Sequence, residues 1–234
     1  MFIRSICWSL FTALLLWACE EVESPSPVAS GTGFYPLEIG NYWIYEVQEI
    51  QIKAIETDSL NYQLRERITD SLVSDLGVVT YLINRDVRNS PEELWSLDSV
   101  WTVRNTGNSL VVTENNIPLI KLIFPVEAGQ SWNGNAFNNL GNVSFTSSDV
   151  TSEELPLGYD SLESIGFIRT TLSDLESPIT GTDVRFEIYG NGIGLIEKDY
   201  TQITLCTSDN NCDVLGDTIG GRILSQVLIE YGTL

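Results

Sequence analysis

The 234-residue chain contains no histidine. Histidine is the usual general base beside a serine or cysteine nucleophile and a common zinc ligand. It is also the side chain whose ordinary pKa lies closest to neutral pH. The absence therefore excludes Ser-His-Asp and Cys-His catalysis, histidine-ligated zinc sites and imidazole pH switches.

Basic residues are scarce. The chain has 12 Lys and Arg against 32 Asp and Glu, which gives a formal net charge of −20. Nucleic acids are bound by Lys and Arg that displace counterions from phosphates, and anionic lipid headgroups need a basic face. The sequence therefore predicts no nucleic-acid partner and no basic membrane-binding face. With 43% hydrophobic residues, the sequence indicates a globular protein, and its length suffices for one sizeable core or at most two small ones.

Long hydrophobic runs are missing except near the N-terminus. A basic residue, Arg4, precedes 14 mostly apolar residues at positions 5–18. This run is shorter than the roughly 20 residues that a membrane-spanning helix needs. Its length and charge order are typical of a secretory leader. We therefore expect residues 1–18 to form a signal peptide.

The end of this leader resembles the lipobox of bacterial lipoproteins, with the sequence Leu16-Trp17-Ala18-Cys19. The resemblance implies cleavage by signal peptidase II and lipidation of Cys19. Residues 19–33 are rich in Glu, Ser, Pro and Gly, which predicts a flexible tether.

Glu20 and Glu21 directly follow the cysteine and resemble the surface-export signal of Bacteroidota lipoproteins. The expected location is the cell envelope, at the outer membrane, with the protein either exposed at the surface or facing the periplasm. The membrane is then a partner through the N-terminal lipid.

The body, residues 34–234, shows the period of two that is typical of half-buried strands. Apolar alternation occurs at Leu60, Tyr62, Leu64 and Ile68; at Trp95, Leu97, Trp101 and Val103; and at Val184, Phe186 and Ile188. Turn-forming residues separate these runs. The pattern predicts an all-β fold, a single antiparallel β-sandwich or open barrel of about ten strands.

One pattern occurs twice, at residues 35–43 and 124–132, which we call the two aromatic-proline segments. Each reads aromatic, Pro, aliphatic, Glu, any residue, Gly, amide, any residue, Trp. We interpret the pattern as a repeated turn into a strand, with two related halves of the body meeting near residue 124. The alternative is a pair of aromatic ligand subsites. Together with residues 189–196, these segments resemble parts of uncharacterised β-rich bacterial lipoproteins, which implies no activity.

Four cysteines are present. Cys7 would leave with the leader and Cys19 would be lipidated, so Cys206 and Cys212 remain. Spare thiols in an exported protein usually pair, which predicts a disulfide. A catalytic dithiol is the alternative, although such pairs usually have the spacing Cys-x-x-Cys.

The loop near this pair contains a weak calcium candidate. Asp209, Asn211, Asp213 and Asp217 match positions 1, 3, 5 and 9 of an EF-hand loop. The match fails at position 6, Val214, and at position 12, Gly220, and no helices flank the loop. We predict no cofactor.

Five triplets have the form Asp, Ser or Thr, aliphatic. This pattern resembles the O-glycosylation motif of exported Bacteroidota proteins. The resemblance implies sugars on Ser59, Ser71, Ser99, Ser161 and Thr218. The alternative is that Asp-Ser forms a turn before a strand begins.

For function, these features favour a non-catalytic binding or assembly role at the envelope, with a protein or glycan partner. One alternative is a hydrolase that uses two carboxylates. The adjacent pairs Glu92-Glu93 and Glu153-Glu154 cannot form such a dyad on a strand, because neighbouring side chains there point to opposite faces. The other alternative is a lipid-handling carrier, which requires an apolar cavity.

Overall fold

The computed structural model describes residues 31–54, 56–156, 158–159, 165–209 and 212–234. Within these ranges the chain forms twelve strands: β1 (Asn41–Lys53), β2 (Glu56–Val73), β3 (Val79–Arg88), β4 (Ser96–Asn105), β5 (Ser109–Glu114), β6 (Ile117–Ile123), β7 (Ser131–Asn133), β8 (Ser144–Asp149), β9 (Phe167–Ser177), β10 (Gly181–Gly190), β11 (Gly194–Leu205) and β12 (Thr218–Thr233). Short 3-10 helices lie at Thr32–Phe34 and Ser152–Glu154.

All twelve strands belong to one antiparallel sheet, in the order β6-β5-β4-β3-β2-β1-β12-β11-β10-β9-β8-β7. The chain therefore forms two consecutive meanders, β1–β6 and β7–β12, which are joined by the pairing of β1 with β12. The all-β prediction is confirmed, and the strand number is close to the expected ten. In the described part of the chain, no helix has both the length and the apolar character to cross a bilayer.

The free edges, β6 and β7, approach each other, so the sheet is nearly closed as a barrel. The Ile120 amide donates to the Gly134 carbonyl at 2.9 Å. The Trp132 indole Nε1 donates to the Ile120 carbonyl at 2.9 Å. Of the two architectures that the sequence left open, the structure is therefore the barrel.

Much of the barrel interior is filled by apolar side chains. The buried core comprises Tyr35, Trp43, Tyr45, Val47, Leu64, Ile68, Ile83, Val103, Leu110, Val112, Leu122, Ile168, Tyr189, Ile193, Leu195, Ile196, Leu224 and Leu228. In β2, Tyr62, Leu64 and Ile68 contribute to this core as the alternation predicted. Leu60, at the same phase, lies outside the core and is exposed.

A β-bulge changes the phase of β4. Trp101 pairs with Ile83 and packs against the core, whereas Leu97 pairs with Asp86. The register shifts between Arg85 and Asp86, which places Leu97 on the outer face, where it is exposed. The predicted common face of Leu97 and Trp101 is therefore wrong.

The two aromatic-proline segments make the same backbone contacts. Gly40 and Gly129 both have positive φ, at 98° and 81°. The Gly40 amide donates to the Ile68 carbonyl on β2, and the Gly129 amide donates to the Ser147 carbonyl on β8. In each segment, the glycine therefore bonds to the strand that pairs with the one about to begin.

The side-chain amides of these segments also make equivalent hydrogen bonds. Asn41 Nδ2 donates to the Pro36 carbonyl at 3.2 Å, and Gln130 Nε2 donates to the Pro125 carbonyl at 2.9 Å. Each segment begins one of the two meanders, so the break near residue 124 coincides with the start of the second meander. That the two halves are related stays a prediction.

The tryptophans that end the two segments serve packing. Trp43 Nε1 donates to the Ile193 carbonyl at 2.5 Å, and Trp132 Nε1 donates to the Ile120 carbonyl at 2.9 Å. The Ile193 carbonyl lies in the turn between β10 and β11, and the Ile120 carbonyl lies on β6, so the two indoles make contacts in different parts of the barrel. The shared backbone contacts support the repeated-turn interpretation, and the pair of ligand subsites stays a hypothesis.

The predicted disulfide is confirmed. Cys206 and Cys212 are bonded, with their Cα atoms 6.0 Å apart, in the connection between β11 and β12.

Candidate ligand site inside the barrel

Lysines are concentrated inside the barrel. The chain has three lysines, and two of them, Lys121 on β6 and Lys198 on β11, are buried at 2% and 7% exposure. A buried ammonium group is costly unless carboxylates compensate its charge. Such a group therefore indicates a specific arrangement of partners.

Two glutamates provide this compensation. Lys121 Nζ lies 2.8 Å from Glu114 Oε1 and 2.8 Å from Glu187 Oε1. Lys198 Nζ lies 3.3 Å from Glu187 and 3.5 Å from Glu114. We call these four residues the interior charge cluster. The cluster is neutral overall, and it connects the first meander to the second across the barrel interior.

Two tyrosines donate further hydrogen bonds to the Glu187 carboxylate. Tyr200 Oη donates to Glu187 Oε1 at 2.7 Å, and Tyr189 Oη donates to Oε2 at 2.6 Å. The carboxylate therefore accepts charge-assisted hydrogen bonds on both oxygens, which fixes its position. Burial, followed by the charge of Glu187, raises the pKa of Tyr200 to about 12, so its hydroxyl keeps the proton that it donates.

The cluster keeps all four groups charged. Burial alone would raise the pKa values of Glu114 and Glu187, but the charges of Lys121 and Lys198 lower both below the ordinary value. Burial alone would lower the lysine pKa values, but the two glutamates raise both. Mutual compensation thus outweighs desolvation on both sides.

The alternation in β10 does not reveal the cluster, because the apolar residues of this strand do not lie on the interior face. Glu187 pairs with Lys198, and Lys198 pairs with Gln226, all on the face that carries the core residue Val47. Val184, Phe186 and Ile188 therefore lie on the other face of the sheet, where Ile188 is nonetheless fully buried. The scarcity of lysine was the one sequence signal that could have drawn attention to the interior.

A second ion pair, apart from the interior charge cluster, also lies in the barrel interior. Arg85 Nε donates to Glu66 Oε1 at 3.0 Å, and its guanidinium lies 3.7 Å from the Trp101 ring centroid. A cavity of about 20 Å³ lies between this pair and the interior charge cluster. That volume suffices for one water molecule.

A larger cavity of about 310 Å³, which we call the interior cavity, adjoins the interior charge cluster. Its apolar wall consists of Ile117, Leu119, Leu140, Val143, Phe145 and Leu172. Its polar wall includes Glu114, Lys121, Tyr200 and Arg185. Apolar lining with a few fixed polar groups, at this volume, is typical of small-molecule sites.

Arg185 is the cation of this cavity that lies outside the cluster. It pairs with Asp183 on the same strand, through Nε to Oδ1 at 2.6 Å and through Nη2 to Oδ2 at 2.8 Å. This two-bond contact holds the guanidinium in one orientation. Across the described residues, no other acceptor bonds to Arg185.

Two further clefts lie apart from the cluster. One, of about 620 Å³, is formed by Leu37, Tyr81, Arg104 and the turns near residues 77 and 107. The other, of about 290 Å³, includes Glu49, Tyr62 and Asp98. Neither is lined by a residue of the interior charge cluster, which makes the interior cavity the best candidate site.

Several predicted sites lie away from this cavity or outside the described residues. Cys19, Ser161 and Asn211 belong to the latter group. Among the glycosylation candidates, Ser59 and Thr218 are exposed, whereas Ser71 and Ser99 are half-buried. All four lie within strands, so Ser59, Ser71 and Ser99 do not occupy turns that precede a strand. Glycosylation itself stays a prediction.

The calcium candidate gains no support. Asp209, Asp213 and Asp217 are described, but within the described ranges no three Asp, Glu, His or Cys side chains are placed to hold a metal ion.

The adjacent glutamate pairs have local roles. Glu93 accepts hydrogen bonds from Asn89 in the turn after β3. Glu154 accepts from the Thr151 backbone and bonds to Arg169. Neither pair lines the interior cavity. The glutamates that do meet, Glu114 and Glu187, are 73 positions apart in the chain.

Comparison of the chain with protein families, with curated proteins and with solved structures finds no match. The interior geometry and the N-terminal sequence are therefore the features from which we infer a function.

Proposed function

We propose that this protein is a non-catalytic, lipid-anchored cell-envelope protein whose barrel binds a small molecule in the interior cavity. The observation that carries the proposal is the apolar cavity of about 310 Å³ beside a fixed group of charges. A preformed cavity of this kind can bind a ligand without large rearrangement.

The charges support binding over hydrolysis. A hydrolase with two carboxylates needs one of them to hold a proton that it can donate. Glu114 and Glu187 both have lowered pKa values, and each already bonds to a lysine. Neither glutamate is suited to act as a general acid.

The size of the cavity supports a small ligand. Because the apolar core fills much of the remaining interior, the cavity volume suits a ligand smaller than a lipid with two long chains. The carrier alternative is therefore supported only for a ligand of modest size.

A fluorescence titration with an uncharged naphthylamine dye tests the binding proposal. The Cys19→Ser protein is suitable, because without a lipid it needs no detergent that would compete for the cavity. We expect saturable binding of one dye per chain. Leu172→Trp, which fills the cavity, should abolish binding, and Leu97→Trp, on the outer face, should leave it unchanged. Absence of saturable binding, or equal loss in both variants, would overturn the proposal.

The anchor part of the proposal is supported by the lipobox and the acidic residues after Cys19. Two or more acyl chains at about 0.8 kcal/mol per buried methylene give effectively permanent attachment. In cells that process lipoproteins, the unchanged protein should partition with membranes and carry labelled fatty acid, and Cys19→Ser should do neither. Unchanged partition of the variant would refute the anchor without affecting the cavity.

A further inference from the structure

The orientation of Arg185 leaves one edge of its guanidinium free. A guanidinium presents five N–H groups, arranged as a side edge, Nε with Nη2, and an end edge, Nη1 with Nη2. Asp183 occupies the side edge with both of its oxygens. The end edge retains one N–H from each terminal nitrogen, the geometry that binds a carboxylate through two parallel hydrogen bonds.

Arg185 shares the interior cavity with the side chains of its apolar wall. Arg185 lines the interior cavity together with Leu119, Phe145 and Leu172. It pairs directly across the strands with Tyr200, two register positions from the pair of Glu187 with Lys198 and on the same face of the sheet. One cavity therefore combines a pre-oriented cation with an extended apolar surface.

The charges around the cavity favour an anion of low charge. The two lysines of the interior charge cluster are already neutralised by Glu114 and Glu187. Asp183 likewise balances Arg185, so the charges of these six groups sum to zero without a ligand. The free edge can hydrogen-bond one carboxylate, whereas a dianion would add a second negative charge near Asp183 with no further cation to balance it.

The volume of the interior cavity limits the size of the apolar part of the ligand. About 310 Å³ corresponds to about ten water-sized groups at ~30 Å³ each. A methylene group is of similar size, so one alkyl chain of about ten carbons fills the cavity.

We propose that the interior cavity binds a single-chain amphiphile with a terminal carboxylate, which the free edge of Arg185 binds while the alkyl chain packs on Leu119, Phe145 and Leu172. This inference rests on the proposed function and specifies the ligand class of the same cavity.

Displacement of the naphthylamine dye by four decyl compounds tests the inference. The compounds are decanoate, decanol, decyl phosphate and decyltrimethylammonium, which share a chain and differ in the head group. We expect decanoate to bind at least about 10-fold more tightly than decanol, since a charge-assisted hydrogen bond contributes about 1.5–3 kcal/mol. Decyl phosphate and the cation should bind more weakly than decanoate.

Substitutions test whether Arg185 causes the preference for decanoate over decanol. Arg185→Gln should weaken decanoate binding about 10-fold or more and leave decanol binding unchanged. Arg222→Gln is the matched control, because it removes an arginine paired with Glu49 and lies outside the cavity lining. Asp183→Asn keeps the guanidinium and should retain the carboxylate preference. The melting temperature of each variant checks that it is folded.

The outcomes separate this inference from the proposed function. If decanoate and decanol displace the dye equally well, the cavity binds ligands but Arg185 does not select a carboxylate, and the inference is overturned. A preference for decyl phosphate or the cation also overturns it. If the dye itself does not bind, the proposed function fails first.

Discussion

Lys121 Nζ lies 2.8 Å from Glu187 Oε1, and their side chains are each only 3% exposed although 66 positions separate them in the chain. This contact joins β6 of the first meander to β10 of the second. Removing one partner of a buried ion pair leaves an uncompensated charge, which costs more than the pair contributes.

Lys121→Met should therefore destabilise the protein by about 3–5 kcal/mol, because Glu114 and Glu187 would lose their shared cation. The measurement is the urea-unfolding midpoint at neutral pH. Lys53→Met is the control, since Lys53 forms an exposed pair with Asp58. That change should shift stability by less than about 1 kcal/mol. Equal midpoints for the two variants would contradict a structural role for the cluster.

The stability of the protein should fall at both extremes of pH. Glu114 and Glu187 have lowered pKa values in the fold, so their contribution is present above the unfolded value of about 4.3 and is lost as pH falls toward the folded values. Lys121 and Lys198 have raised pKa values. Their contribution is complete below about 10.4 and is lost as pH rises through the folded values.

Melting temperatures between pH 2 and pH 12 test this dependence. In Lys121→Met the glutamates lack that cation, so protonating them at low pH should relieve the repulsion. The difference in melting temperature between the unchanged protein and this variant should therefore narrow below about pH 4. A difference that stays constant across the range would count against the assigned pKa directions.

Trp43→Phe should cost about 2–4 kcal/mol, because it removes both buried ring volume and the indole bond to the Ile193 carbonyl. Trp95→Phe provides the comparison. The guanidinium carbons of Arg65 and Arg88 lie 4.6 and 4.2 Å from the centroid of the Trp95 ring, which is not fully buried. Its replacement should cost less than about 1 kcal/mol. Chemical denaturation of both variants measures the difference, and a larger effect at Trp95 would be the contrary result.

Replacing both Cys206 and Cys212 by serine should lower stability by about 2 kcal/mol, because the bridge closes a loop with a sequence separation of only 6. The unchanged protein in reductant should unfold at the same denaturant concentration as the double variant. Intact mass before and after alkylation verifies the bridge. A loss well above 3 kcal/mol would mean that the bridge does more than constrain the unfolded chain.

The alternation of apolar and polar residues along the strands could be predicted from the sequence. Which face of each strand points into the barrel could not. In β2 the apolar face is the interior face, because Leu64 and Ile68 pack in the core. In β10 the interior face carries Arg185 and Glu187, and the apolar alternation lies on the other face. Apolar residues cannot identify the interior when buried charges compensate one another there.

The candidate site could not be predicted from the sequence, for a related reason. Glu114, Lys121, Glu187 and Lys198 come from four strands, and each is unremarkable in its own segment. Their proximity depends on the near closure of the sheet between β6 and β7, which one sequence does not encode in a readable pattern. The Cys206–Cys212 bridge, by contrast, could be predicted because elimination left two thiols.

The pairing of β1 with β12 has a consequence for assembly. The first strand of the barrel hydrogen-bonds to the last along thirteen residue pairs, from Asn41 with Thr233 to Lys53 with Gly220. A polypeptide cut before residue 218 would leave two long unpaired strand edges in the middle of the sheet, which are templates for aggregation. We therefore expect a chain that lacks β12 to aggregate, because β1 and β11 both lose the strand that pairs with them.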